Sequence, residues 1–171
     1  MVDFSAFKRL VVSHAQKQEV ESAAPVDWNA RRQWWIHKVD GLLQEIRAWL
    51  GSLVDDGTIG FAVRTVTVDE QYLGTYQIQA ATLDYAGQSM EILPVGSLVL
   101  GGVGRVDVTG PAGKVMLILL TPDDDAPSGP PQLDSAEWFT TLPHDRLSQT
   151  RLTEALFQQM FLELFGVGDE Q

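Results

Sequence analysis

Cysteine is absent from all 171 residues. Disulfides, thiolate nucleophiles and cysteine-ligated zinc or iron–sulfur clusters are thereby excluded. Basic residues are scarce, with 12 Lys and Arg against 23 Asp and Glu and a net charge of −11. Phosphate contacts need Lys and Arg, so this balance argues against nucleic acid and against anionic membrane surfaces. No stretch nears the roughly 18 consecutive apolar residues of a membrane span. The opening residues MVDFSAFKRL lack the basic start and apolar run of a secretory leader. A cytoplasmic protein is expected.

What is present suffices for a core. The apolar fraction is 44% and the charged fraction 20%, unlike a disordered chain, which combines low hydrophobicity with strong charge. The length suits one domain covering 1–171. Charge is uneven along it. Met1–Gly51 carry seven basic and six acidic residues, whereas Ser52–Gln171 carry five and seventeen. Such an acidic half favours a basic protein partner.

The period of the apolar residues divides the chain into a helical part over 1–56, a β part over 58–120, a loop over 121–135 and a helix over 147–166. In the first part, Phe4, Phe7, Val11 and His14 share one helical stripe, which ends at Ala23-Ala24-Pro25. His14 is read as packed. Asp27 then caps a longer helix reaching Val54. Trp28, Trp35, Val39, Leu42, Ile46, Trp49 and Leu53 form its stripe, broad enough to bury against a core. Trp34 lies off that stripe beside Arg31 and Lys38. Exposed there, it would mark a binding surface or a dimer contact.

From Thr58 to Leu120 the pattern alternates. Ala86-Gly87, Gly101-Gly102 and Gly110-Pro111-Ala112-Gly113 read as tight turns, and Pro94-Val95-Gly96 reads as an interruption before a short strand at Ser97–Leu100. Val115–Leu120 is continuously apolar and is expected to be buried on both faces. Strands so closely joined leave no room for crossovers, so the sheet is antiparallel. The expected class is α+β: a meander sheet or small, partly closed barrel of five to seven strands, packed by the Trp-rich helix and the C-terminal helix. Trp138–Leu142 supplies a last edge strand or extended segment, and the closing helix runs from about Ser148 to Phe165.

Motifs for chemistry are few. His37 and Asp40 share a helical face at a metal-compatible spacing, but Glu45 is out of phase and a third ligand is missing. Asp123-Asp124-Asp125 lacks the glycine and spaced Glu of a calcium loop. Gly101-Gly102-Val103-Gly104 precedes a strand, not the helix that a phosphate loop requires. His144-Asp145 is similar to the adjacent His-Asp of a family of metal-dependent phosphohydrolases. That resemblance covers two residues without the helical His and Asp ligands that complete the site, and Asp145 is read as a helix cap. No Gly-x-Ser-x-Gly elbow occurs.

Three functional readings follow, the last of them a purely structural subunit of a larger assembly. The first is a non-enzymatic interaction or accessory protein, self-associating or bound to a basic protein, without a cofactor or metal. The second is a small-molecule binder or enzyme with a site at the mouth of a curled sheet. Arg64, Arg105, Asp107, Tyr72 and Tyr76 would line that mouth, while Trp34 serves the first reading.

Overall fold

The computed structural model describes residues 3–23, 26–121, 133–142 and 145–168. Helix α1 covers Phe4–Ala23, α2 covers Trp28–Leu50, and α3 is a single turn at Ser52–Asp55. Five strands follow: β1 Ile59–Glu70, β2 Gly74–Tyr85, β3 Gln88–Gly96, β4 Gly104–Gly110 and β5 Gly113–Leu120. A 3-10 turn at Leu133–Ser135 leads to β6 Glu137–Leu142, β7 Asp145–Arg151 and helix α4 Glu154–Phe165. All seven strands form one antiparallel sheet in chain order. The sheet does not close, since β1 and β7 are its two edges.

Capping chemistry sets the helix ends. Asp27 accepts a hydrogen bond from Ala30 N–H at 3.0 Å and opens α2. The helix stops at Gly51 rather than running to Val54, because Gly51 adopts φ 49° and donates back to the Arg47 carbonyl. Thr153 caps α4 through Leu156 N–H, and Gly166 ends it in the left-handed region. The closing helix therefore starts six residues later than its apolar pattern suggests. Asp145 lies in a strand and caps no helix.

The core lies between one face of the sheet and the helices α2 and α4. Trp35, Val39, Leu42, Leu43, Ile46 and Leu50 of α2 are buried, as are Phe157, Met160 and Leu164 of α4. Opposite them stand Met90 and Ile92, Val106 and Val108, and Val115, Leu117 and Leu119. Each such side chain contributes about 1.5–3 kcal/mol when fully buried. Trp49 packs on Phe157 at 5.8 Å between ring centroids, and Tyr85 meets Phe161 edge-on at 5.6 Å.

Three expectations fail for physical reasons. Val115–Leu120 is buried on one face only. Met116, on the other, is 40% exposed, because among the described residues no helix covers the outer side of β5. Pro94 does not end β3. The strand runs on to Gly96, and the register with β4 shifts between Pro94 and Gly96, at a residue lacking an N–H to donate. Ser97–Leu100 then forms no strand.

The β1–β2 hairpin changes its buried face. Ala81 and Leu83 point into the core on β2, but so do Tyr76 and Ile78, which have the opposite parity. The β1–β2 pairing stays in register throughout, while the β2–β3 pairing ends at Ala81. Beyond Ala81 the ribbon leaves β3 and turns its other face inward. Two adjacent alanines, both fully buried, occupy the changeover.

Candidate functional site

The apolar residues of α1 from Phe4 to Val12 lie outside the core. Phe4 and Phe7 are 77% and 56% exposed, and Leu10 is 65% exposed. Val11 and Val12 are also exposed, so the stripe extends over two turns. Asp3 begins the helix by accepting from Ala6 N–H at 2.8 Å, and the Phe4 and Phe7 rings contact each other at 6.2 Å. His14 is exposed rather than packed, as expected at the end of an exposed stripe.

A cleft of about 870 Å³ lies between α2 and the β6–β7 end of the sheet. One wall is a single flank of α2, carrying Trp34, His37, Lys38, Gly41 and Glu45. Ala136 to Phe139 form the other wall, with Arg151 and Leu152 beyond them. Lys38 Nζ donates to the Ala136 carbonyl at 3.2 Å across the cleft. Arg151 pairs with Glu137 at 3.1 Å. His37 and Glu45 share the cleft but lie eight residues apart, about 12 Å along the helix. That separation is too great for both to ligate one ion.

Trp34 is half-buried, not exposed, with the Arg31 guanidinium 5.3 Å from its ring centre. Its Nε1 is buried and has no hydrogen-bond acceptor among the described residues. Gly41 is the second unusual feature of this wall. A Cβ added there would find nothing within 4 Å, so packing does not require glycine. Yet glycine within a helix costs about 1 kcal/mol relative to alanine.

Tyr72 and Tyr76 belong to a different place, the tip of the β1–β2 hairpin. Tyr72 has φ 70°, a strained conformation for a tyrosine, and stacks on Trp28 with centroids 5.1 Å apart. Tyr76 is buried. It accepts from Trp35 Nε1 at 3.0 Å and donates to Glu70 Oε2. The other Glu70 oxygen accepts from Ser97 N–H at 2.9 Å and Leu98 N–H at 3.0 Å. Arg31 completes this clasp by donating from Nε to Ser97 Oγ at 2.8 Å. Burial lowers the Arg31 pKa, against the opposing charge of Glu70. Burial first, and then the Glu70 carboxylate, raises that of Tyr76. The clasp ties α2, the hairpin tip and the segment after β3 into one unit.

Arg64, Arg105 and Asp107 lie elsewhere again. Arg64 pairs with Glu91, and both are well exposed. Arg105 Nε and Lys114 Nζ each reach Asp107 at 2.8 Å on the outer face of the sheet. Burial of Asp107 raises its pKa, but hydrogen bonds and charge from Arg105 and Lys114 outweigh that and hold it low. The residues read from sequence as one polar lining thus fall on separate surfaces, and the open sheet provides no barrel mouth to gather them.

No known protein family, curated protein or solved structure matches this chain. Among the described residues, no group of three or more His, Asp or Glu could hold a metal ion, and no helix is long and apolar enough to cross a membrane. Asp123-Asp124-Asp125 and His144 lie outside the described residues. Sequence reasoning missed Lys38, Gly41 and Glu45 as one wall. Their spacing from Trp34 (four, seven and eleven residues) was the available signal, because it is that of one helical face.

Proposed function

We propose that this chain is a non-enzymatic interaction protein that presents α1 to a protein partner. The observation that carries the reading is the exposed stripe of Phe4, Phe7, Leu10 and Val11 on the first turns of α1. An amphipathic helix gains by burying its apolar face, and a helix laid into an apolar groove is a recurrent mode of recognition. The acidic charge of Ser52–Gln171 favours a partner that is basic where it faces that part of the chain, outside the groove. Lys8 and Arg9 lie beside the stripe and would set the register of docking.

Photo-crosslinking in the cells that make the protein tests this reading. A photoreactive phenylalanine analogue in place of Leu10 is expected to give one saturable crosslinked species. Phe7→Asp should abolish it without unfolding the chain. A crosslink to a second copy would make the partner this same protein, and a crosslink to another protein would identify a heterologous one. A folded, abundant chain that gives no crosslink sinks the proposal.

A further inference from the structure

Recognition through α1 leaves the two edges of the open sheet unaccounted for, and they are built differently. A free edge presents unpaired N–H and C=O groups to any other strand, and proteins blunt it with short strands, charge, proline or bulges. Edge β7 has such devices. It spans seven residues, reads DRLSQTR with three charges, and its pairing with β6 shifts register between Thr140 and Leu142. Edge β1 lacks them. It spans 12 residues, about twice the usual strand length, with no proline and no lysine. Its pairing with β2 runs from Ile59 to Glu70 without a shift. Between Gly60 and Val68 the one charged residue is Arg64, and its side chain reaches back over β2 to Glu91 of β3, away from the edge. Val63, next to it, is 51% exposed.

We propose that β1 pairs antiparallel with β1 of a second copy of this chain, about a two-fold axis at Val66, joining the two seven-stranded sheets into one continuous sheet. The strand is complementary to itself in that register. Val66 faces Val66 of the partner subunit, and on either side of the axis Thr65 of one copy faces Thr67 of the other. Arg64 faces Val68 of the partner subunit and lies diagonal to its Glu70, an opposite charge. An axis at Arg64 would instead oppose two like charges. Opposed β-branched residues and threonine pairs each stabilise a ladder. The contact is isologous, the commonest form of closed assembly, and it leaves the two protected β7 edges outermost.

Light scattering on the purified chain should give the mass of two copies. Thr65→Lys with Thr67→Lys sets like charges opposite each other on both sides of the axis and should yield monomers. Both positions are exposed, so the circular dichroism spectrum should not change. Thr65→Lys with Thr67→Glu sets opposite charges in the same pairs and should keep the dimer. The chain has no cysteine, so Val66→Cys introduces a lone thiol. Mild oxidation should join two copies through it, because directly opposed Cβ atoms lie about 4.5–5.5 Å apart or closer. Thr109→Cys, exposed on the interior strand β4, should not crosslink. A monomeric parent chain overturns the proposal and leaves this edge to a strand of another protein. So does a dimer that survives the Lys–Lys variant, or one lost in the Lys–Glu variant as well. Phe7→Asp should leave the dimer intact. A dimer lost there and kept in the Lys–Lys variant would put self-association on α1 instead. If the Lys–Lys variant fails to fold, the thiols decide: no covalent dimer from Val66→Cys, or as much from Thr109→Cys, rejects pairing about Val66.

Discussion

Trp35→Ala is expected to destabilise the protein by about 4 kcal/mol, within the range for removing a large aromatic from a core. The Trp35 side chain is fully buried. Its ring meets Trp138 at 6.1 Å between centroids and lies so close to Gly104 that a Cβ there would collide with it. The cavity is not the whole cost, because Tyr76 loses the donor to its buried hydroxyl. Urea unfolding followed by circular dichroism measures the effect. A loss under about 1 kcal/mol would mean that the α2–sheet contact is not organised around this residue. Trp35→Phe separates the two contributions, since it keeps most of the packing but not the hydrogen bond.

The second large effect belongs to Glu70. Glu70→Ala should cost about 2–3 kcal/mol, because it removes the acceptor for the buried Tyr76 hydroxyl and for two backbone N–H groups at once. Glu70→Gln should cost less, as one carbonyl oxygen remains for Ser97 and Leu98. The same clasp makes stability depend on pH at the alkaline end. Tyr76 has its pKa raised in the fold from an ordinary value near 10, first by burial and then by Glu70. A group whose folded pKa exceeds its unfolded pKa contributes stability that is complete below the unfolded value. That contribution is lost as pH rises past it. The melting temperature is therefore expected to fall above about pH 10, and Tyr76→Phe should flatten that fall. An equally steep fall in Tyr76→Phe would assign the alkaline sensitivity to another group.

The sequence made the fold class legible because each large element has a local cause. Asp27 and Gly166 punctuate helices, and Ala86-Gly87 has the positive φ at both positions that a tight hairpin turn uses. Two helix ends with local caps, at Gly51 and Thr153, were misread, and the other misread elements are those decided by distant partners. Strand β7 reads DRLSQTR, a polar run with no core alternation, and only pairing with β6 makes it a strand. The inward turn of Tyr76 and Ile78 depends on where β2 leaves β3, and no parity rule within β2 encodes that. Arg105 and Asp107 were legible as a same-face pair because they sit two apart on a strand. Lys114 joined them through the β4–β5 register. The cleft was illegible for a similar reason, since its walls come from α2 and from residues about a hundred positions later. As for α1, its amphipathic stripe was plain in the sequence. That the core leaves this stripe exposed is a property of the packed molecule.

The account rests on the apolar stripe of α1 serving recognition rather than the fold. Thermal unfolding of the purified Phe4→Ser, Phe7→Ser double variant tests this most directly. Exposed substitutions typically change stability by less than about 0.5 kcal/mol, and 1 kcal/mol moves the melting temperature by roughly 2–4 °C at this size. The account predicts a Tm within about 4 °C of the parent chain. A fall of about 8 °C or more would mean that these phenylalanines hold the molecule together, and α1 would then be part of the core and no longer a candidate recognition element.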